Sequence, residues 1–264
     1  MSGTRWAAVI GHPVAHSRSP ALFARFAHAT GIALRYDAVD VRPAVLADTL
    51  ERWRIDDAFV GCNVTLPHKE RALALAGAVE TAARACGAAN VITRDGPTLI
   101  AGNTDVAGVA NALAEHNVAL RGARVAILGA GGAARAVAAA ARDGGAATII
   151  VAARDRARAT AMAREFKATA CALDVVPPAD LYVNATPAGM HGQPQLSLLP
   201  HDAPVGAVAF DLVYVPAETP FLRDARARGL RTVGGTAMFV AQAAATFERW
   251  FGIRPPLEPA GEAV

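Results

Sequence analysis

Lys69, inside the stretch Asn63-Val64-Thr65-Leu66-Pro67-His68-Lys69-Glu70, is the residue of this chain best suited to proton transfer. It stands where a strand ends and a helix begins, which predicts a buried, polar-rimmed corner. A desolvated lysine titrates low enough to give and take protons. The second polar cluster, Asn103-Thr104-Asp105, supplies a carboxylate that could orient the ammonium. Reduction of a ketone by hydride requires a proton for the developing alkoxide, and a Lys69/Asp105 pair could deliver it. The functional reading needs both side chains at one reacting centre. The bland alternatives are a surface lysine and a helix cap at Asn103-Thr104-Asp105.

The hydride source is predicted by Gly129-Ala130-Gly131-Gly132-Ala133-Ala134, which matches G-x-G-x-x-A. The motif follows the continuous apolar run Val125-Ala126-Ile127-Leu128, as a central parallel strand requires. Gly129 permits the turn, Gly131 lets backbone approach a pyrophosphate, and Ala134 keeps helix close to strand. A helix from Ala133 to Arg142 would offer its N-terminal amides and positive dipole end to the phosphates. Strand, loop, helix and second strand come in the order that supports a dinucleotide site over a plain turn. The second strand ends at Ala153-Arg154-Asp155-Arg156-Ala157-Arg158, where the ribose is discriminated. Arginines there suit the 2′-phosphate of NADP, and an acidic residue suits the 2′-hydroxyl of NAD. If Asp155 only caps the helix Arg156–Phe166, the arginines stay available and NADP is favoured.

Composition narrows the remaining classes. Apolar residues make up 53% of the 264, and charged ones 19%, which excludes a disordered chain. Mean hydropathy is +0.27, largely through alanine, and no apolar run of about 18 residues is present to span a bilayer. The first residues carry no signal-peptide pattern, so a cytoplasmic location is expected. Cys62, Cys86 and Cys171 are far apart, and Pro13 interrupts the His12/His16 pair; neither set predicts a metal site. The net charge of +3 and pI near 9 come without a basic stripe or interleaved aromatics, so an anionic small molecule is expected rather than nucleic acid.

These groups must be positioned by alternating elements. Strands are expected at Trp6–Ile10, Leu34–Val39 and Ala58–Val64, with helices at Ala21–Thr30, Ala44–Trp53 and Lys69–Leu75. Ser19 is read as an N-cap with Pro20 at the first helical position, and Gly31 as the stop. A hairpin over Ala88–Thr93 and Leu99–Ala101 and a helix Val106–His116 close this unit. A second series follows, with strands at Arg124–Leu128, Ala147–Val151, Leu181–Asn184 and Ala207–Asp211. Its helices are Ala133–Arg142, Arg156–Phe166 and Pro220–Gly229, and the tail forms Met238–Phe251 with core-facing Phe239, Val240, Phe247 and Trp250.

Taken in order, these motifs resemble one family. Ser17-Arg18-Ser19-Pro20, Asn63–Lys69, Gly87-Ala88-Ala89-Asn90, Asn103-Thr104-Asp105 and Gly129–Ala133 occur at the spacing of shikimate dehydrogenases. Asn184-Ala185-Thr186-Pro187-Ala188-Gly189-Met190, Asp211-Leu212-Val213-Tyr214 and Ala241-Gln242-Ala243-Ala244 continue the match over nearly the whole chain. The resemblance implies NADP-linked reversible reduction of 3-dehydroshikimate to shikimate, on the route to aromatic amino acids. It implies that Ser17 and Ser19 donate to the substrate carboxylate with Tyr214 assisting, and that Thr65, Asn90 and Gln242 bind ring hydroxyls. Asn63 is expected on the substrate side with Thr65. Lys69 and Asp105 match the catalytic pair. Gly129, Ala130, Gly131, Gly132, Ala133, Ala153, Arg154, Asp155, Arg158, Leu212 and Gly235 match cofactor contacts, with no metal.

The fold implied is two α/β lobes, the second a Rossmann-like NAD(P)-binding domain, with the C-terminal helix returning to the first. The expected division is 1–106 completed by 236–264 for substrate, and 107–235 for the dinucleotide. Three departures keep alternatives open. Ala153-Arg154-Asp155 replaces the usual Asn-Arg-Thr, Val106 follows Asp105 where glycine is frequent, and Gly234-Gly235-Thr236-Ala237-Met238 alters the usual approach to the nicotinamide. A quinate/shikimate dehydrogenase using NAD or both cofactors is the nearest rival, although Ser19 fits the shikimate side. A non-catalytic dinucleotide or metabolite sensor is the rival of another class. Either enzyme is expected as a monomer or homodimer acting on a small molecule, away from nucleic acid and membrane.

Overall fold

The computed structural model describes residues 4–257. Expectations for residues 1–3 and 258–264, including their place in the first domain, lie outside the described residues. The chain divides into two compact units, residues 4–104 with 240–257, and Asp105–Phe239.

In the first unit, β1 (Arg5–Gly11), α1 (Ser19–Thr30), β2 (Leu34–Asp40), α2 (Leu46–Arg54) and β3 (Phe59–Val64) alternate as the apolar pattern requires. Then come α3 (Lys69–Leu75), the short β4 (Ala78–Val79), α4 (Thr81–Cys86) and the hairpin β5 (Val91–Asp95) and β6 (Thr98–Gly102). Among the described residues the sheet order is β2-β1-β3-β5-β6-β4. The β2-β1-β3 part is parallel, β5 joins it antiparallel, and β4 pairs parallel to β6. The central β1 is buried from Ala7 to Gly11 because both its faces are covered. One face packs with Ile10, Leu46, Leu50, Phe59 and Ile92. On the other, Phe23 stacks on Tyr36 at 4.1 Å and packs against Phe247 and Trp250.

The second unit holds α5 (Asp105–Glu115), β7 (Arg124–Leu128), α6 (Gly132–Asp143), β8 (Thr148–Ala152), α7 (Arg156–Phe166) and β9 (Thr169–Cys171). It continues through β10 (Leu181–Asn184), β11 (Val208–Asp211), α8 (Pro220–Ala227) and β12 (Arg231–Val233). Its sheet runs β12-β11-β10-β7-β8-β9 among the described residues, parallel at every pairing. This is the doubly wound order expected of a Rossmann-like domain. The last helix, α9 (Gly235–Phe251), leaves this unit after Phe239 and packs onto the first through Val240 and beyond. There Arg249 forks onto Glu80 and donates to Thr93 Oγ1 at 2.6 Å.

Several local expectations are corrected. Ser19 is not the N-cap of α1. Arg18 holds that place in helical geometry, and Ser19 is already the first helical residue. The Ser17 hydroxyl accepts the Ser19 N–H at 3.2 Å, so the local turn is closed one step earlier than the Ser-Pro pair suggested. The helix expected from Ala44 begins with a 3-10 turn at Pro43–Val45 and is α-helical only from Leu46. Four short elements, β4, α4, β9 and β12, are too brief to leave a periodic signal.

Candidate active site

In the first unit, the Asn63–Glu70 stretch is tied on both sides by main-chain hydrogen bonds. Thr65 N–H donates to Ile10 O at 2.8 Å, and His12 N–H donates to Leu66 O at 3.0 Å. On the other side, Val64 N–H donates to Asn90 O at 2.7 Å and Ala89 N–H to Lys69 O at 2.8 Å. The end of β1 with His12, and the Ala89-Asn90 turn before β5, are thereby held against the Val64–Lys69 stretch; Ser17 lies in the loop that follows His12, and Ser19 opens α1. His68 contributes from within. It is 1% exposed, and its Nε2 lies 2.6 Å from Val41 O, which anchors the N-cap of α3 and so the position of Lys69.

Lys69 is half-buried rather than buried, as is Thr65. Asn63, expected on the substrate side, is instead part of the interior. Tyr36 donates its hydroxyl to Asn63 Oδ1 at 2.8 Å, and Asn63 Nδ2 donates to Thr246 Oγ1 at 3.2 Å. Asn90 is buried and central to the same polar layer. Its Oδ1 accepts Thr104 N–H at 2.7 Å, and its Nδ2 donates to Thr104 Oγ1 at 2.9 Å and, more loosely, to Gln242 Oε1 at 3.4 Å. Gln242 is half-buried on α9, not an exposed position. Asn103 is spent on Ala88 O at 2.8 Å, which leaves Asp105 to open α5. Asp105 is 4% exposed and belongs to the second unit.

That unit carries the glycine loop. Gly129 has φ +123°, and a Cβ there would lie 2.9 Å from Ala185 O, so glycine is required by backbone and by space. Gly131 is the N-cap of α6, and no atom lies within 4 Å of where its Cβ would be. No side chain caps this helix start, so its first amides have no side-chain acceptor. An anionic pyrophosphate fits that arrangement. Gly235 is held as closely as Gly129, because a Cβ would come within 2.7 Å of both Leu212 O and Val213 O. Tyr214 is half-buried and stacks on Phe239, with ring centroids 4.2 Å apart and an interplanar angle of 11°.

At the ribose end, Ala153 is buried while Arg154, Asp155, Arg156 and Arg158 are exposed. The Asp155 carboxylate accepts Arg158 N–H at 3.0 Å and caps α7. Its geometry is that of a helix cap.

Sequence reasoning missed a second polar core under these loops. Asn184 and Asp211 end β10 and β11, and both are buried with Thr219. Their signal was a polar residue closing each apolar strand, Leu181-Tyr182-Val183-Asn184 and Val208-Ala209-Phe210-Asp211. Burial pushes the Asp211 carboxyl up to about 6, against the hydrogen bonds it accepts from Thr219, Val213 and Asn184. A carboxyl whose folded value lies above its unfolded value stabilises the native state most at low pH. That contribution is lost as pH rises through about 6. Asp211→Asn removes the titration, so the melting temperature of the variant should rise relative to the native chain between pH 5 and pH 7.5, by the equivalent of about 1 kcal/mol. A difference that is the same at both pH values would contradict it.

Similarity to known proteins extends over nearly the whole chain. Residues 9–92 match the Shikimate dehydrogenase substrate binding domain, residues 112–188 the Shikimate / quinate 5-dehydrogenase family, and residues 235–264 the Shikimate 5'-dehydrogenase C-terminal domain. A shikimate dehydrogenase (NADP(+)) of Nitrobacter hamburgensis is 45% identical, over 97% of this chain and 91% of the relative. Among solved structures, shikimate 5-dehydrogenase of Thermus thermophilus, in complex with NADP(H) and shikimate, has a TM-score of 0.85 and 39% identity, covering 98% of each chain. A 5-ketofructose reductase of Gluconobacter sp. strain CHM43 has a TM-score of 0.84 at 32% identity, over 96% of this chain and 95% of its own.

Proposed function

This chain belongs to the shikimate dehydrogenase family, and from that premise we propose that it catalyses the reversible, NADP-linked reduction of 3-dehydroshikimate to shikimate. The observation that carries the reading is the main-chain tying of the Val64–Lys69 stretch to the end of β1 on one side and to Ala89 and Asn90 on the other, in the first unit. A ring bearing several hydroxyls and one carboxylate needs many short donors and acceptors, which is what these loops present.

Ser17 and Ser19 would donate to the substrate carboxylate, with the Tyr214 hydroxyl assisting. Thr65, Asn90 and Gln242 would read the ring hydroxyls, and the link from Asn90 to Gln242 would keep their amides in register. Lys69 would give its proton to the oxygen of the developing alkoxide during reduction and take it back during oxidation. Asp105 would orient the ammonium and accept the hydrogen bond of the product hydroxyl. The glycine loop, the start of α6, Leu212 and Gly235 would hold the dinucleotide, with Ala153, Arg154, Asp155 and Arg158 around its ribose. When bound, NADPH supplies the hydride for the carbonyl carbon.

The cofactor preference turns on Asp155. As a cap it keeps its carboxylate on Arg158 N–H, which supports NADP; its charge still opposes a 2′-phosphate nearby. Serine caps a helix about as well as aspartate. Asp155→Ser should therefore leave stability unchanged and raise the NADP over NAD preference by about fivefold, the effect of roughly 1 kcal/mol of repulsion near the surface. An unchanged ratio of kcat/KM values would show that the carboxylate does not meet the phosphate. The overall reading is tested by initial rates in a matrix of shikimate and quinate against NADP and NAD. Quinate turned over better than shikimate would defeat it in favour of a quinate/shikimate dehydrogenase.

A further inference from the structure

The second unit contains a buried carboxylate that none of these roles uses. Asp211 is fully buried at the end of β11. It accepts hydrogen bonds from three different elements. Asn184 Nδ2 donates from the end of neighbouring β10 at 2.9 Å, Val213 N–H from the following loop at 2.9 Å, and the Thr219 hydroxyl from the N-cap of α8 at 2.5 Å. Asn184 is itself fixed. Its Oδ1 accepts Thr186 N–H at 3.1 Å and the Thr186 hydroxyl at 2.7 Å, so its Nδ2 must face Asp211 and Ala188 O.

This cluster underlies two loops at the carboxyl ends of parallel strands, where a doubly wound sheet takes its ligand. In one, Ala185 O and the Thr186 side chain form the wall against which Gly129 turns. In the other, the carbonyls of Leu212 and Val213 form the seat of Gly235. A carboxylate suits the position because it accepts only. An apolar residue of the same size would leave three donors unpaired in the interior.

We propose that Asp211 is a positioning residue for the dinucleotide, acting through Asn184 on the wall of the glycine loop and through Val213 on the seat of Gly235. This rests on the dinucleotide reading of the second unit given above. Asp211 touches no substrate; it sets where the groups that do are held, and misplacement by a fraction of an ångström is enough to weaken such a site.

The test is NADP affinity by isothermal titration of the full chain, alongside the KM for shikimate. Asp211→Ala should raise the NADP Kd by at least about tenfold and leave the shikimate KM within about twofold. Asp211→Asn keeps an acceptor for Val213 and Asn184 and should restore the Kd to within about threefold. Asn184→Ala, which leaves the Thr219 bond intact, should also weaken NADP. Thr219→Val cuts only the α8 arm and should lower the melting temperature without changing the Kd. Native NADP affinity in Asp211→Ala or Asn184→Ala, equal losses for NADP and shikimate, or a Thr219→Val defect as large as that of Asp211→Ala would overturn the proposal. If Asp211→Ala does not fold, the contrast between Asn184→Ala and Thr219→Val decides it. A native chain with no measurable affinity for NADP would instead remove the dinucleotide reading, and this inference with it.

Discussion

Lys69→Ala is expected to lower kcat by about 10²- to 10⁴-fold, the usual cost of losing a general acid–base group. The shikimate KM should move far less, because Ser17, Ser19, Thr65, Asn90 and Gln242 would still hold the ring. The loss should be nearly equal in kcat and kcat/KM, as for an interaction made mainly in the transition state. The fold should survive. Lys69 is the first residue of α3, it is half-buried, and its main-chain carbonyl still accepts Ala89 N–H after truncation. Alanine is also the best helix former. Steady-state rates with a circular-dichroism melt check both halves. Turnover near the native rate would take the proton-transfer role from Lys69.

Gly131→Val should abolish NADP binding while leaving the free protein folded. At Gly131 φ is −99°, which valine tolerates, and nothing lies within 4 Å of the position its Cβ would take. The new side chain would enter the open space beside the N-cap of α6, where a pyrophosphate would have to approach. Gly129→Ala is the informative contrast. There the positive φ of +123° and the contact with Ala185 O make the loop itself fail, so stability falls together with binding. Titration with NADP and thermal melts separate the two cases. A Gly131→Val protein that binds NADP normally would show that the pyrophosphate does not pass this residue.

The readable part of the site is the part written in contiguous residues. The glycine loop is one uninterrupted motif between a strand and a helix, and its meaning depends on local backbone geometry. Ser17 to Pro20 and Asn63 to Lys69 are likewise short runs whose strand and helix neighbours declare themselves by periodicity. What escaped was built from residues far apart in the chain. Asn63 looked like a companion of Thr65, and only the fold shows it held by Tyr36 and by Thr246. Asp155 offered two roles at one position, a ribose contact or a cap. The amide of Arg158 decides where its oxygen lies. Lys69 is half-buried, because a strand end and a helix start set a residue's place and not its depth.

The sequence by itself determined the alternation of elements, the doubly wound second unit and the glycine loop between its first strand and helix. These depend on period, on turn chemistry and on residue type, all local properties. Tertiary structure alone decided that Asn90, Thr104, Thr246 and Gln242 share one polar layer, and that Asp211 joins the ends of β10 and β11. A buried polar group must find its partner wherever the folded chain brings one, and that partner leaves no mark at a fixed spacing.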